Sequence, residues 1–402
     1  MTRRRKMEEF FRELAADFRW GQMIAIGCLM IFSLLFISSA TARDGEGVPD
    51  EVKKQALWFV VGLFGYLVVA LVDYRWVCRK AWLLYAATLA PLIWVLHKAK
   101  EIYGAKRWIT FGAFTVQPSE FAKLSVLLAL CWHLSRREGK THDWRSIAVA
   151  ALLALLPAAL IDRQPDLGTA ASIVALLFLL LFLAGVSLRF FGALALVALL
   201  LGGAVGWETW RYIQFRHERA AGLVPMEARY PSLLHLKEYQ LNRIVGVVAP
   251  EELDQLNEGW NIRQSLIAIG SGRLSGKGWG KGDVTRGGYL PRTVSLNDFI
   301  FAVFAEESGF VGGTILVALY AVLLLGGARV AIRAGDSLGM LVAGGVTFLL
   351  FFHVFVNIGM TLGILPVVGV PLPLMSYGGS FVLVSMMLLG LLQSVWLHRK
   401  PY

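Results

Sequence analysis

Charge is scarce in this sequence: Asp, Glu, Lys and Arg make up 17% of 402 residues, against 56% hydrophobic. Soluble domains carry about 25% charged residues, so an ordinary soluble domain is excluded. Cysteine is scarcer still. Cys28 and Cys131 fall in apolar runs and Cys78 in a short basic loop, so no pair shares an oxidising face and no structural disulfide is expected. The apolar runs do not alternate with polar residues, which removes a membrane barrel. No period of roughly 20–50 residues recurs, which removes a solenoid.

What is present is a series of runs near the length needed to cross a bilayer, about 20 residues each. They lie at 21–39, 56–72, 81–97, 119–134, 147–161, 168–186, 188–206, 299–327, 338–360 and 376–397, and the mean hydropathy is +0.60. The runs 119–134 and 147–161 are the shortest for a full crossing. The pattern predicts an all-α integral membrane protein of ten transmembrane helices, with a large extracytoplasmic loop, 207–298, between helices 7 and 8.

Lys and Arg concentrate in cytoplasmic loops. Arg3, Arg4, Arg5 and Lys6 place the N-terminus inside, and ten crossings put Arg75, Arg79 and Lys80 on the same side. Arg136, Arg137, Lys140 and Arg145 follow, as do Arg329, Arg333 and the tail His398-Arg399-Lys400. Both termini are therefore expected in the cytoplasm. The net charge of +11 is a topology signal, not a nucleic-acid signature. The first apolar run, behind Glu8 and Glu9, reads as an anchor, not a cleavable signal.

The outer face carries the unusual chemistry. Lys98, Lys100, Lys106 and Arg107 run against the positive-inside pattern. They form either a basic loop on anionic headgroups or a cationic lip for an anionic substrate. Pro118 then opens a helix that carries Glu120 and Lys123, three apart and so on one face. Ions are costly in hydrocarbon, so the pair either steadies the helix end or meets a polar ligand. The second half of the 207–298 loop, from Trp260, holds six Lys/Arg against Asp283 and Asp298 alone. Its glycine block, Gly270 to Gly280, carries Arg273 and Lys277. The Gly272–Gly276 spacing fails a nucleotide P-loop, and Lys277 is followed by glycine. A hinge and a phosphate cradle both remain open.

Asp298 stands where this loop gives way to Phe299-Ile-Phe-Ala. It is either a helix-capping acid or an ionised base at the membrane surface. Glu306 and Glu307 follow about 12–13 Å further along the helix. That is too far for a paired-carboxylate site, whose acids stand roughly 5–10 Å apart, but suits a partner for a buried cation. His353 and Asn357 read as interhelical hydrogen-bonding groups, and Asp162 and Asp166 as turn and cap residues around Gln164-Pro165.

Four blocks resemble the SEDS family (shape, elongation, division and sporulation), membrane glycosyltransferases that polymerise peptidoglycan from lipid-linked disaccharides. The blocks are Gly104 to Lys123, Arg163 to Thr169, Gln264–Gly270 with Asn297–Ala302, and Asn357–Gly363 with Ser376–Ser380. Val370-Pro-Leu-Pro373 is more similar to elongation-type than to division-type members. The chain departs from the pattern at Thr115, where relatives carry a basic residue, at Asn297, where they carry Ser or Thr, and at Phe381, where they carry a second serine.

The resemblance implies polymerisation of lipid II on the outer face of the cytoplasmic membrane, with Asp298 essential. It further implies substrate contacts from Glu120 and Lys123, to which Gln117, Ser119, Lys106, Arg107, Arg273 and Lys277 are added as candidates. No cofactor is required by this reading, and a divalent cation, Mg or Mn, is left open. A class B penicillin-binding protein (transpeptidase) and other elongation-complex membrane proteins are the implied partners. A division-type polymerase, a lipid II flippase and a scaffold for a transpeptidase are the competing readings. The sequence lacks the internal repeats and paired broken helices of carriers, which favours the enzyme. Reporter fusions at Lys140 and Glu252 are expected in opposite compartments; the same compartment at both would contradict the ten-helix topology.

Overall fold

Every backbone amide and carbonyl in hydrocarbon must find its partner within the chain, and each of the ten apolar runs meets that demand as a helix. The computed structural model describes residues 18–41, 47–98, 107–111, 114–137, 143–225, 228–236, 238–248 and 258–399. Lys100, Lys106, Lys140, the first basic cluster and Lys400 lie outside them.

In chain order the helices are α1 (Trp20–Thr41), α2 (Asp50–Leu71), the short α3 (Tyr74–Arg79) and α4 (Ala81–Lys98). Then come α5 (Pro118–Ser135), α6 (Trp144–Asp162), α7 (Leu167–Leu183) and α8 (Leu188–Ala220). The loop region contributes α9 (Glu238–Val248), α10 (Glu258–Ser271), α11 (Asp283–Arg286) and α12 (Arg292–Asn297). The bundle closes with α13 (Ile300–Ile332), α14 (Ser337–Thr361) and α15 (Gly379–Leu397). Among the described residues, eight helices are both long and apolar enough to cross a membrane. Of the other two expected crossings, α5 carries Glu120, Lys123 and His133, and α7 has 17 residues.

Three boundaries differ from the sequence reading. Helix α8 continues past residue 206 to Ala220, so the expected outer loop begins as helix and not as a turn. The run 147–161 belongs to a 19-residue helix, α6. Ahead of α5 the chain forms a small antiparallel hairpin, β1 (Ile109–Phe111) with β2 (Phe114–Val116), register Ile109 to Val116, so the fold is not wholly helical.

The core forms where small residues let helices approach. A Cβ on Gly390 of α15 would lie 2.6 Å from the Tyr66 carbonyl of α2, so these backbones nearly touch. At one end of the bundle, Asp336 caps α14 through the Gly339 amide at 2.7 Å and accepts from Tyr74 Oη and Arg75 Nε, each at 2.8 Å. Burial works against this carboxylate, but those donors outweigh it and hold its pKa below the usual aspartate value. At the other end, Trp279 Nε1 donates to the Leu35 carbonyl at 2.8 Å, and Arg292 pairs with Glu51 at 2.9 Å. The loop after α10 is thereby docked on α1 and α2.

The same loop closes onto a break in α13. Gly309 takes φ 67°, ψ −165° inside the helix, which leaves carbonyls of the preceding turn without helical donors. The amides of Lys277 and Gly278 fill that need, donating to Glu306 O at 3.1 Å and Glu307 O at 2.9 Å. Gly276, at φ +78°, is pressed so close that a Cβ would come 2.1 Å from Glu307 O, whereas Gly280, at φ +72°, has nothing within 4 Å. Gly280→Ala is therefore expected to cost only the left-handed strain, about 1–2 kcal/mol. Gly276→Ala is expected to cost more and to expose the loop. Thermal melting with limited proteolysis at Lys277 and Lys281 checks this; equal effects at both glycines would contradict the docking.

Candidate functional site

The entrance to α5 is held by polar contacts in place of hydrocarbon. Gln117 occupies the N-cap with Pro118 at the first helical position. The Gln117 amide donates to Ser380 Oγ at 3.0 Å, and its side chain donates to Ser119 Oγ at 3.0 Å and Asp166 Oδ2 at 2.9 Å. Ser119 donates to the same Asp166 oxygen at 3.2 Å. Asp166 also caps α7 through the Thr169 amide, as its turn position suggests. What sequence reasoning missed is that this cap also joins the Gln-Pro-Ser motif.

One turn into α5, Glu120 and Lys123 pair at 2.9 Å with side chains only 3% and 2% exposed. Lys123 Nζ lies 2.9 Å from His353 Nε2, and His353 Nδ1 lies 3.1 Å from the Pro371 carbonyl. An ammonium only donates, so Nε2 accepts and Nδ1–H donates to Pro371. Phe381 covers the pair: its ring centroid is 5.4 Å from Lys123 Nζ and 5.0 Å from the His353 ring. The family's second serine is thus replaced here by an aromatic face that favours a cation.

Four residues along α14, about 6 Å, Asn357 Nδ2 donates to two carbonyls at once, Asp298 O at 2.9 Å and Val370 O at 2.7 Å. Both helix positions singled out in the sequence therefore link segments by hydrogen bonds. The segment 365–378 that they engage is secured from other sides too. Ser376 Oγ donates to Asn297 O, and the Tyr377 amide donates to Leu296 O at 3.0 Å. Ser33 Oγ donates to Met375 O at 2.9 Å, and Gln55 Nε2 to Ser376 O at 3.1 Å.

Asp298 lies between α12 and α13, half-buried. Phe299, not Asp298, holds the N-cap position of α13, and it makes no side-chain capping bond. The Asp298 carboxylate borders the backbone of Gly369: a Cβ there would lie 3.6 Å from Oδ2, and Gly369 has φ +69°. Its main chain is thus fixed at the junction of α12 and α13.

The remaining candidates divide. Arg107 is half-buried, with Nε buried and without a hydrogen-bond partner among the described residues. Arg273 is exposed at φ 49°, and its carbonyl accepts from the Phe310 amide at 2.9 Å. Lys106 lies outside the described residues. Lys277 is placed otherwise than a phosphate cradle requires: Nζ pairs with Glu306 at 2.6 Å and Asp283 at 3.0 Å. Burial opposes that ammonium, but the Glu306 and Asp283 carboxylates prevail and raise its pKa. The neighbouring amides, as described, bond α13, and Gly280 N donates to Glu307 Oε2 at 3.0 Å, with Ser39 Oγ donating to Oε1. Glu306 is therefore the cation partner that its spacing suggested. Among the described residues, no three His, Cys, Asp or Glu side chains gather into a metal-holding group.

The residues so assembled are one carboxylate on a fixed backbone and one buried cation, Lys123, held by Glu120 and His353. The profile of the Cell cycle protein family FtsW/RodA/SpoVE matches residues 16–401. The peptidoglycan glycosyltransferase MrdB of Escherichia coli K12 is 37% identical, over 94% of this chain and 93% of its own. The peptidoglycan glycosyltransferase RodA of Treponema pallidum is 33% identical, over 94% and 98% respectively. Among solved structures, a chain from work on the structural coordination of polymerization and crosslinking by a peptidoglycan synthase complex superposes with TM-score 0.73 at 29% identity, covering 94% of this chain and 97% of that one. The chain belongs to the SEDS family, the FtsW/RodA/SpoVE proteins.

Proposed function

We propose that this chain is a peptidoglycan glycosyltransferase of the elongation type, polymerising lipid II on the outer face of the cytoplasmic membrane. The observation that carries the reading is Asp298, a half-buried carboxylate at the loop–helix junction whose carbonyl is held by Asn357. The relatives named RodA and MrdB supply the activity, and Val370-Pro-Leu-Pro373 the subtype.

Ten crossings with both termini inside fit the two ends of α1, which stand about 33 Å apart at 1.5 Å per residue. Arg19 meets Trp396 at one end, and Ser39 meets Glu307 at the other. The segment from Ala221 to Asp298 is then the extracytoplasmic loop. A transpeptidase of class B is the proposed partner, in keeping with the synthase complex to which the fold is similar.

In the proposed reaction, Asp298 takes the proton from the 4-hydroxyl of the GlcNAc on one lipid II. That oxygen forms a bond to the anomeric carbon of the MurNAc on another, with inversion. The bond from that carbon to the diphosphate oxygen breaks, and undecaprenyl diphosphate leaves with the electron pair. A diphosphate departs without protonation when cations absorb its charge, so one carboxylate suffices. Arg107 and Arg273 are assigned to the diphosphate. Lys123, held by Glu120 and His353, is assigned to fixing the positive field beneath it, with Gln117 and Ser119 setting the α5 entrance. Lys277 is assigned to holding the loop.

Asp298→Asn keeps size and polarity but cannot accept a proton. It is expected to insert and bind lipid II normally while glycan synthesis falls roughly 10²–10⁴-fold, the usual contribution of a general base. Synthesis within a few-fold of wild type at equal abundance would end the proposal. Lipid II movement across vesicles without glycan formation by the wild type would favour the flippase reading.

Lys123→Ala would leave Glu120 buried and unpaired, a loss of about 3–5 kcal/mol, so it confounds folding with function. The Glu120→Gln, Lys123→Met double variant removes both charges. It is expected to melt near wild type while losing most polymerisation, measured on purified protein. Recovered activity alongside recovered stability would make the pair purely structural.

A further inference from the structure

A second cationic site lies at the opposite end of the bundle, where the described chain begins and ends. Arg19, just ahead of α1, places its guanidinium carbon 5.5 Å from the centre of the Trp396 ring, and Arg399 stands 3.6 Å from the same centre. Gly326 of α13 leaves room for it, since a Cβ there would come 2.7 Å from Arg19 Nη2. Arg19 Nη1 is nevertheless buried with no hydrogen-bond partner among the described residues. Burial lowers the Arg19 pKa from its ordinary value, with the Tyr66 hydroxyl acting against that change and the Arg329 charge adding to it.

Arg19 therefore faces a second cation, Arg329, and no carboxylate pairs with Arg19 or Arg329 among the described residues. With Phe18, Gln22, Val322 and Trp396, the two arginines line a recess of about 290 Å³. Leaving a guanidinium N–H buried without an acceptor is costly, and two unpaired cations at one recess raise that cost. An anion with several oxygens removes both penalties.

We propose that this recess binds the phosphate of an anionic phospholipid headgroup, with Arg19 and Arg329 as its two cationic contacts. Phosphate is the fitting chemistry because guanidinium groups match its oxygens in geometry and charge. A lipid supplies it because the recess opens where α1, α13 and α15 reach the bilayer boundary. Trp20 is exposed beside it, and tryptophan prefers that level of a membrane. Basic pockets between transmembrane helices hold headgroups in this way. The site is separate from the Asp298 region and does not depend on the reaction proposed for it.

The test is native mass spectrometry of the purified full chain, titrated with phosphatidylglycerol and, separately, with phosphatidylcholine. The wild type is expected to retain one phosphatidylglycerol preferentially. Arg329→Gln, at an exposed position that leaves the fold intact, is expected to weaken that retention about tenfold, as loss of one charge-assisted contact does. Arg19→Gln should weaken it at least as much, and thermal melting shows whether that variant is folded. If it is not, Arg329→Gln decides alone. Unchanged phosphatidylglycerol retention in Arg329→Gln overturns the proposal. Equal retention of phosphatidylcholine, or full displacement by inorganic phosphate, overturns the assignment to an anionic lipid.

Discussion

One side-chain amide governs the geometry on which the rest of the site depends. Asn357 sits on α14 with its Nδ2 donating to Asp298 O and Val370 O together. Three segments meet through those two bonds: the junction of α12 with α13, the Pro-rich turn and a buried helix. A carboxylate useful as a base must keep its position while water and substrate exchange around it. The Asp298 main chain is fixed on both sides of its carboxylate, its amide donating to Val294 O at 3.0 Å and its carbonyl accepting from Asn357. His353, one turn away on the same helix, bonds Pro371 in the same turn and receives Lys123. The carboxylate and the buried cation are thus referenced to one strip of backbone, residues 370–371.

The loop between α10 and α13 is anchored by a second device. A helix interrupted in a membrane protein exposes carbonyls that must be satisfied by other protein groups. The break at Gly309 exposes them on the turn carrying Glu306 and Glu307, and the amides of Lys277 and Gly278 supply the donors, while the Lys277 ammonium pairs with the Glu306 carboxylate. Lys277 in this role is a strut. Its charge is taken up by two carboxylates, Glu306 and Asp283.

Much of this was legible in the sequence, for physical reasons that also mark where legibility ended. Unbroken apolar runs leave helix as the only choice, so all ten fell on helices, whereas boundaries depended on packing and solvent that periodicity does not encode. The extension of α8 to Ala220 and the hairpin at 109–116 are of that kind. Glu120 with Lys123 was readable because two ions three residues apart at a helix start demand an explanation. Glu306 could be named as a partner for a cation, but not which cation, because Lys277 lies 29 residues earlier and meets it only through the docked loop. Asp166 read as a cap and is one; its bonds to Gln117 and Ser119 needed the packing of α5 on α7. Phe381 appeared as a mere departure from the family pattern until its ring was found over Lys123 and His353.

The central claim is that Asp298 acts as the base, and the pH dependence of lipid II polymerisation tests it most directly. Measured as kcat/KM on purified protein, the wild type is expected to lose activity on the acid side with the slope of a single proton, as one carboxylate becomes protonated. The residual activity of Asp298→Asn is expected to lack that limb. The same acid limb, unchanged in Asp298→Asn, would contradict the account.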